Sequence, residues 1–309
     1  FRALSEVEFQ PCPGINVISG SNAQGKTTLL EAILFAATSR SHRTNVEAEL
    51  VRQGEDHFRL YAHVARRERE VTVEAHWWQG AKRFRVNGVA VSRVSDILGK
   101  FHVVMFCPED ISLVKGSASG RRRFLDMELS QLYPEYLHAL QQYRQALRQR
   151  NELLKHDSPK PDLLDVYDEQ LATHGAVLIR ERAAFIESLA KLAADAYARI
   201  ADMEKMDIQF RPDVADPAAL ADTLARSRLS DIRRNMTMRG PHRDDFEFSI
   251  TGASARTFAS QGQQKSAAIA LKLAETALIR ERVGEYPILM LDEVLAELDS
   301  TRARQLFES

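Results

Sequence analysis

The sequence predicts an α/β fold: one discontinuous α/β domain with a helical lobe inserted in its middle. Three observations carry this reading. Near the start, a glycine-rich loop stands between a β-branched run and an apolar helix. The middle is dominated by leucines at spacings of three, four and seven. The last third returns to strand-then-helix patterning and closes on an apolar run followed by two acids. A length of 309 residues is enough for about two structural units.

Taken in order, Ile15-Asn16-Val17-Ile18 reads as a short buried strand. It feeds Gly20-Ser21-Asn22-Ala23-Gln24-Gly25-Lys26-Thr27-Thr28 and then a helix with apolar Leu29, Leu30, Ile33 and Leu34. His57 to Val64 and Val71 to Trp78 are rich in β-formers, and Asn87-Gly88 is a strong hairpin signal between Phe84-Arg85-Val86 and Val89-Ala90-Val91. His102 to Phe106 reads as one more buried strand.

From about Arg121 to Ile200 the texture is helical. Tyr136, Leu140, Tyr143, Leu147 and Leu154 form one stripe, which Arg150 breaks, and Leu171, Leu178, Phe185 and Leu192 form another. The polar, proline-bearing 156–161 segment joins them, which predicts an antiparallel helical hairpin. Phe246 to Ile250 alternates as a strand, Ser260-Gln261-Gly262-Gln263-Gln264 opens a long helix, and Pro287 to Leu291 leads into Asp292-Glu293. The expected division is 1–120 for the N-terminal head part, 121–235 for the helical arm and 236–309 for the C-terminal head part.

Composition excludes several classes. Hydrophobic residues are 44% and charged residues 28% of the chain, as in ordinary globular proteins. Lys plus Arg is 42 against 43 for Asp plus Glu, a net charge of −1, so any DNA contact must come from local patches. Two cysteines, Cys12 and Cys107, rule out a disulfide framework and point to a reducing compartment. No apolar run reaches the ~18 residues of a membrane span. Phe1-Arg2 has no apolar leader behind it, so no signal peptide is expected.

The 20–27 segment fits GxxxxGK[ST] in the strand–loop–helix context that a P-loop requires. Its glycines let successive N–H groups face a phosphate while the following helix adds its positive end. Lys26 then reaches the β- and γ-phosphates, and Thr27 completes the shell of a Mg²⁺ ion. Asp292, after a buried strand, is a second metal ligand, and Glu293 orients or deprotonates the attacking water. Ser260 stands where a helix N-cap would. The order of P-loop, serine–glycine helix start, Asp-Glu strand and Ala296-Glu297-Leu298-Asp299 turn is that of ABC-type ATPases.

The chain resembles the RecF family within the ABC-type group that also holds the SMC proteins. The resemblance rests on Pro13 to Gly20 leading into Asn22 to Thr27, Arg40-Ser41-His42-Arg43, Phe106-Cys107-Pro108-Glu109-Asp110 and Arg121 to Asp126. It also rests on Asp168 to Ala172 at the opening of the second arm helix, Gly240-Pro241-His242-Arg243-Asp244-Asp245 and Ser260 to Gln264. It implies an ABC-type head, with a mixed sheet, an antiparallel β subdomain and an inserted coiled-coil-like lobe. It further implies head-to-head dimerisation with ATP, slow Mg²⁺-dependent hydrolysis, binding to duplex or gapped DNA, and work beside RecO and RecR in loading RecA. By the same resemblance, Ser260, Gly262 and Gln263 contact ATP held by a partner protomer's P-loop. Cys107 stands near where related ATPases carry a metal-sensing glutamine, and their switch histidine would fall at or beyond Ser309.

Bland readings accompany the remaining motifs. His42 and His242 are expected to be hydrogen-bonded or surface residues, and 240–245 a turn before a strand. Arg121-Arg122-Arg123 with Lys115 is the best compact basic cluster for DNA phosphates, with Arg144, Arg148 and Lys155 as a second stripe. One of Trp77 and Trp78 is expected in the core, leaving the other able to stack on a base. The competing functional class is the nucleotide-binding subunit of an ABC transporter, against which the helical insert and Arg-rich segment argue. A nuclease-linked ATPase would need a further acidic metal-binding domain for which the chain has no room.

Overall fold

A computed structural model describes residues 1–44, 46–67, 69–156, 159–201 and 204–293. The chain opens with helix α1 (Lys26–Thr38), then strands β1 (His57–Ala65), β2 (Glu70–Trp78), β3 (Ala81–Val86), β4 (Val89–Val91) and β5 (Val103–Phe106). Helices α2 (Ile111–Lys115), α3 (Ala118–Leu132), α4 (Pro134–Leu154) and α5 (Pro161–Ile200) follow. Then come β6 (Met206–Arg211), α6 (Leu220–Arg234), β7 (Asp245–Ile250), β8 (Ala253–Ser254), α7 (Ala255–Phe258), α8 (Gln261–Val283) and β9 (Ile288–Leu291).

These elements pack as two units, one holding Phe1–Phe106 with the returning segment from Glu285, the other Cys107–Gly284. The sequence reading cut the chain at 120/121 and 235/236. Packing cuts it at 106/107 and 284/285, because α8 lies among the helices of the second unit.

In the first unit, β1 to β4 form an antiparallel meander. Period-two alternation turns Phe58, Val73, Trp77 and Phe84 inward, where Phe58 stacks on Trp77 at 6.3 Å and meets Phe35 of α1 edge-on at 5.5 Å. The Asn87-Gly88 turn has positive φ at both residues, +50° and +78°, as a two-residue hairpin loop demands. β5 pairs with β9 in parallel, from Val103 opposite Ile288 to Phe106 opposite Leu291. A parallel pair needs a crossover, and the whole second unit is that crossover.

The Ile15–Ile18 run is a correction. It is not a strand, and Ile15 and Val17 are 81% and 85% exposed. β-branched residues favour a ladder only when a partner supplies hydrogen bonds and cover, and this segment pairs with no described strand.

The second unit is built on the expected hairpin of α4 and α5. It departs from expectation in three respects. α5 has 40 residues and begins at Pro161, so Asp168 lies two turns inside it and does not open it. The first helical stretch is broken into α3 and α4 at Tyr133-Pro134, since proline removes a donor and sits best at a helix start. Within the expected arm, 206–211 is a strand, β6, paired antiparallel with β7. Tyr136, Tyr143, Leu171, Leu189, Tyr197 and Leu271 form the core. α8 is buried from Ser266 through Lys272 without interruption, the mark of a helix enclosed on all sides.

Arg150, the break in the α4 stripe, is wholly buried. Its Nε donates to Asp168 Oδ1 at 2.6 Å, and its Nη1 donates to Asp231 Oδ2 and Thr237 Oγ1, both at 2.8 Å. One guanidinium thereby ties α4, α5 and α6 together.

Candidate functional site

The first unit holds the loop that its glycines and alanine shape. Gly20 (φ +153°), Ala23 (φ +64°) and Gly25 (φ +96°) take conformations that L side chains rarely adopt. A Cβ on Gly25 would also lie 2.6 Å from Leu4 Cδ2, a side-chain end that would have to turn aside, so the positive φ is what calls for glycine there. Ser21 to Gln24 are exposed, whereas Thr28 is buried. Lys26 folds back over the loop, its Nζ donating to the carbonyls of Gly20 (2.8 Å) and Ser21 (2.9 Å).

Helix α1 starts at Lys26 with no side-chain cap on its N-cap Gly25 and no acidic residue in its first turn. Its first N–H groups and the positive end of its dipole therefore point into the loop uncompensated by any side chain, which suits an anion. The residues present fit a nucleotide phosphate chain.

The pair expected to hold a metal also fits. Register in the β5–β9 pair continues as Asp292 N donates to Phe106 O at 2.9 Å, which sets Asp292 at the C-terminal end of β9. Thr27 Oγ1 donates to Asp292 Oδ1 at 3.1 Å, joining residues 265 positions apart. One hydroxyl and one carboxylate are hard oxygen donors of the kind Mg²⁺ takes alongside phosphate oxygens and water. Among the described residues no cluster of three His, Cys, Asp or Glu could hold a metal alone. Glu293 is exposed with φ +55°. The strand is anchored upstream by Glu285, whose carboxylate accepts from Arg66 Nε at 2.9 Å while Arg66 Nη1 donates to Lys100 O. The expected Ala296, Glu297, Leu298 and Asp299 turn lies outside the described residues.

Sequence reasoning missed Glu31, a fully buried carboxylate on α1. Arg2 pairs with it through Nε and Nη2, Ser41 donates to it, and Arg43 lies 3.8 Å away. It braces the 40–43 segment against the phosphate-loop helix. The legible signal was a lone acid inside the Leu29–Leu34 apolar run.

In the second unit, Ser260 caps α8. Its Oγ accepts from Gln263 N at 3.2 Å, and Gln263 Oε1 accepts from Ser260 N at 2.8 Å, a closed capping box. Gln263 Nε2 also donates to Glu204. Gly262 and Gln263 are only partly covered, and Ser260 is exposed.

The expected basic cluster is corrected. Arg121 is 3% exposed and forks onto Asp245, with Nε and Nη2 at 2.6 and 2.9 Å, and Arg122 donates to Asp244 O. Their sequence neighbours suggest a solvated charge run, but one carboxylate from 124 residues away claims Arg121 for the core. Arg144 pairs with Asp126 and Lys155 with Glu152, which spends part of the second stripe as well.

His242 is the hydrogen-bonded residue expected. Its Nε2–H donates to Thr237 O, which leaves Nδ1 to accept from Tyr143 O–H at 2.7 Å. Burial holds it down at about 4. The 240–245 turn is packed by Arg182, which donates to Pro241 O, Asp244, Asp126 and Tyr136. Beside Cys107, whose thiol burial pushes up, the second unit buries Glu128 and Glu275 with Lys272, next to the half-buried Asp110. Lys272 Nζ lies 2.6 Å from Glu275 Oε2.

A phosphate loop joined through Thr27 to a strand-end aspartate, with a long helix opening on Ser-Gln-Gly-Gln in a helical second unit, defines the head of an ABC-type ATPase. Comparison with known proteins narrows the class. The family described as RecF/RecN/SMC N terminal domain matches residues 1–309. The DNA replication and repair protein RecF of Symbiobacterium thermophilum is 42% identical, over 100% of this chain and 86% of that protein. Its counterpart in Oceanobacillus iheyensis is 39% identical over 100% and 88%. A solved structure, the "recombination mediator protein RecF-ATP in RecFOR pathway", matches with a TM-score of 0.95 at 36% identity, covering 100% of this chain and 86% of that one. The corresponding RecF-ATPrS structure gives 0.92 at 35%, over 99% and 87%. The chain belongs to the RecF family.

Proposed function

We propose that this protein is an ATP-dependent, DNA-binding recombination mediator of the RecF type. ATP drives two heads together on gapped or duplex DNA, the complex helps RecO and RecR load RecA in the cytoplasm, and slow Mg²⁺-dependent hydrolysis releases it. The observation that carries the reading is the Thr27–Asp292 contact at 3.1 Å, which brings a phosphate loop and a metal-holding acid to one place.

The roles follow from chemistry. The Gly20-to-Thr28 segment cradles the phosphates, Lys26 leaves its loop carbonyls for the γ-phosphate, and Thr27 with Asp292 holds Mg²⁺. Glu293 activates water. Ser260, Gly262 and Gln263, at a helix start suited to anions, face the γ-phosphate held by a partner protomer. In this reading 1–120 and 236–309 serve as the two head parts and 121–235 as the arm. The transporter-subunit alternative gains no support: the relatives just named are DNA replication and repair proteins.

Light scattering with ATP and with ADP tests the shared site. Ser260→Arg should bind ATP normally yet fail to dimerise, while Lys26→Ala should lose ATP affinity itself. A Ser260→Arg protein that dimerises with ATP as tightly as wild type would sink the model.

A further inference from the structure

The helix that opens on Ser260 is held at its start by two glutamines of different reach. Gln264 is buried and works locally, its Nε2 donating to the carbonyls of Ala255 and Ala259. Gln263 is only partly covered and reaches 59 residues back along the chain, where its Nε2 donates to Glu204 Oε1 at 2.8 Å. Glu204 stands between the end of α5 at Ile200 and the start of β6 at Met206. Its other oxygen, Oε2, accepts from Tyr197 O–H at 2.7 Å. Tyr197 lies in the last turn of α5 and is wholly buried.

These bonds have a direction. An ionised carboxylate only accepts, so Glu204 meets the Gln263 amide through its NH2 end alone. That sets the other end of the amide, Oε1, on the Ser260 N–H at 2.8 Å. Ser260 Oγ in turn accepts from Gln263 N at 3.2 Å, and accepting through a lone pair leaves its own proton for another acceptor. Ser260 is exposed at a helix start, where a phosphate oxygen is a suitable acceptor. Without Glu204 nothing charged would orient the amide, and its NH2 end would repel the Ser260 N–H if it turned that way. A bond to a carboxylate is also roughly twice as strong as one between neutral groups.

We propose that Glu204 is a positioning residue for the shared ATP site. It holds Gln263, and through it Ser260, in the orientation that receives the γ-phosphate, and it ties that orientation to the end of the arm helix α5. This role rests on the shared-site reading above. Glu204 acts through Gln263 and touches no nucleotide, and Tyr197 acts through Glu204.

The test uses the full chain and two measurements. Without nucleotide, hydrogen exchange at the Ser260 and Gln263 amides should quicken about tenfold in Glu204→Ala. It should stay near wild type in Glu204→Gln, whose side-chain carbonyl still accepts from Gln263. With ATP, light scattering should show dimerisation weakened about tenfold in Glu204→Ala and in Gln263→Ala. The double variant should lose no more than either, because both changes remove one linkage. Affinity of the monomer for ATP, set by the P-loop, should match wild type in every variant, and Glu204→Gln should restore dimerisation. Unchanged exchange in Glu204→Ala overturns this role alone, as do additive losses in the double variant. A wild-type chain that forms no dimer with ATP overturns the shared-site reading, and this role with it, whatever the exchange shows.

Discussion

Glu293 and His242 show how much a single side chain can be asked to decide. Glu293 adjoins the Thr27–Asp292 pair in sequence and is exposed, free to meet a water molecule. Glu293→Gln keeps the shape and removes the base, so ATP affinity should hold while turnover falls about a hundredfold or more. Single-turnover kinetics reads this, and hydrolysis at the wild-type rate would assign water activation elsewhere. His242 predicts a pH window. Its ordinary value is 6.5 and the folded value about 4, because burial disfavours the imidazolium. Between those values the unfolded chain binds the extra proton, so stability is complete above about pH 6.5 and declines as the pH falls toward 4. The loss amounts to at most about 3 kcal/mol. Urea midpoints at neutral and mildly acidic pH should converge for wild type and His242→Asn as the pH drops; parallel curves would remove His242 as the cause.

At the scale of elements, close approach decides what propensity alone would misjudge. Gly175 lies inside α5, where alanine is ordinarily favoured by about 1 kcal/mol. Here a Cβ would stand 2.6 Å from Leu220 Cδ2, 3.1 Å from Tyr143 Cε2 and 3.4 Å from Pro241 Cγ. Leu220 can shift, but Tyr143 is held by its hydrogen bond to His242. Gly175→Ala should therefore destabilise the fold by about 1–3 kcal/mol, and an unchanged or raised melting temperature would contradict the packing argument. The same logic explains Arg150. Its guanidinium interrupts an apolar stripe because α5 and α6 each supply a carboxylate to it and Thr237 a hydroxyl. Removing it would leave the buried Asp231 without its cation, and Asp168 with Arg228 alone.

For the whole molecule, a net charge of −1 means no overall field draws DNA to the protein. On the proposed function, duplex binding would come from patches, and two protomers joined by ATP would align twice as many. The logarithm of duplex affinity should fall steeply with the logarithm of salt concentration, and more steeply with ATP than with ADP. Equal slopes in the two nucleotides would detach DNA binding from dimerisation. Arg121 and Arg122 should contribute little, since both are committed to Asp245 and Asp244.

What the sequence determined by itself is local. The phosphate loop is covalently contiguous, so Gly20 to Thr27 could be read as a site. The Ser260–Gln263 capping box and the Asn87-Gly88 turn involve neighbours within a few residues. Alternation in 71–78 foretold that one tryptophan of the pair would be buried. Tertiary structure decided the rest, because it depended on partners far along the chain. Thr27 meets Asp292 only through the parallel pairing of β5 with β9. Arg121 looked like a surface cation until Asp245 reached it. Ile15 to Ile18 carried every local mark of a strand and formed none, because a strand's hydrogen bonds are made by its neighbour and not by its own residues.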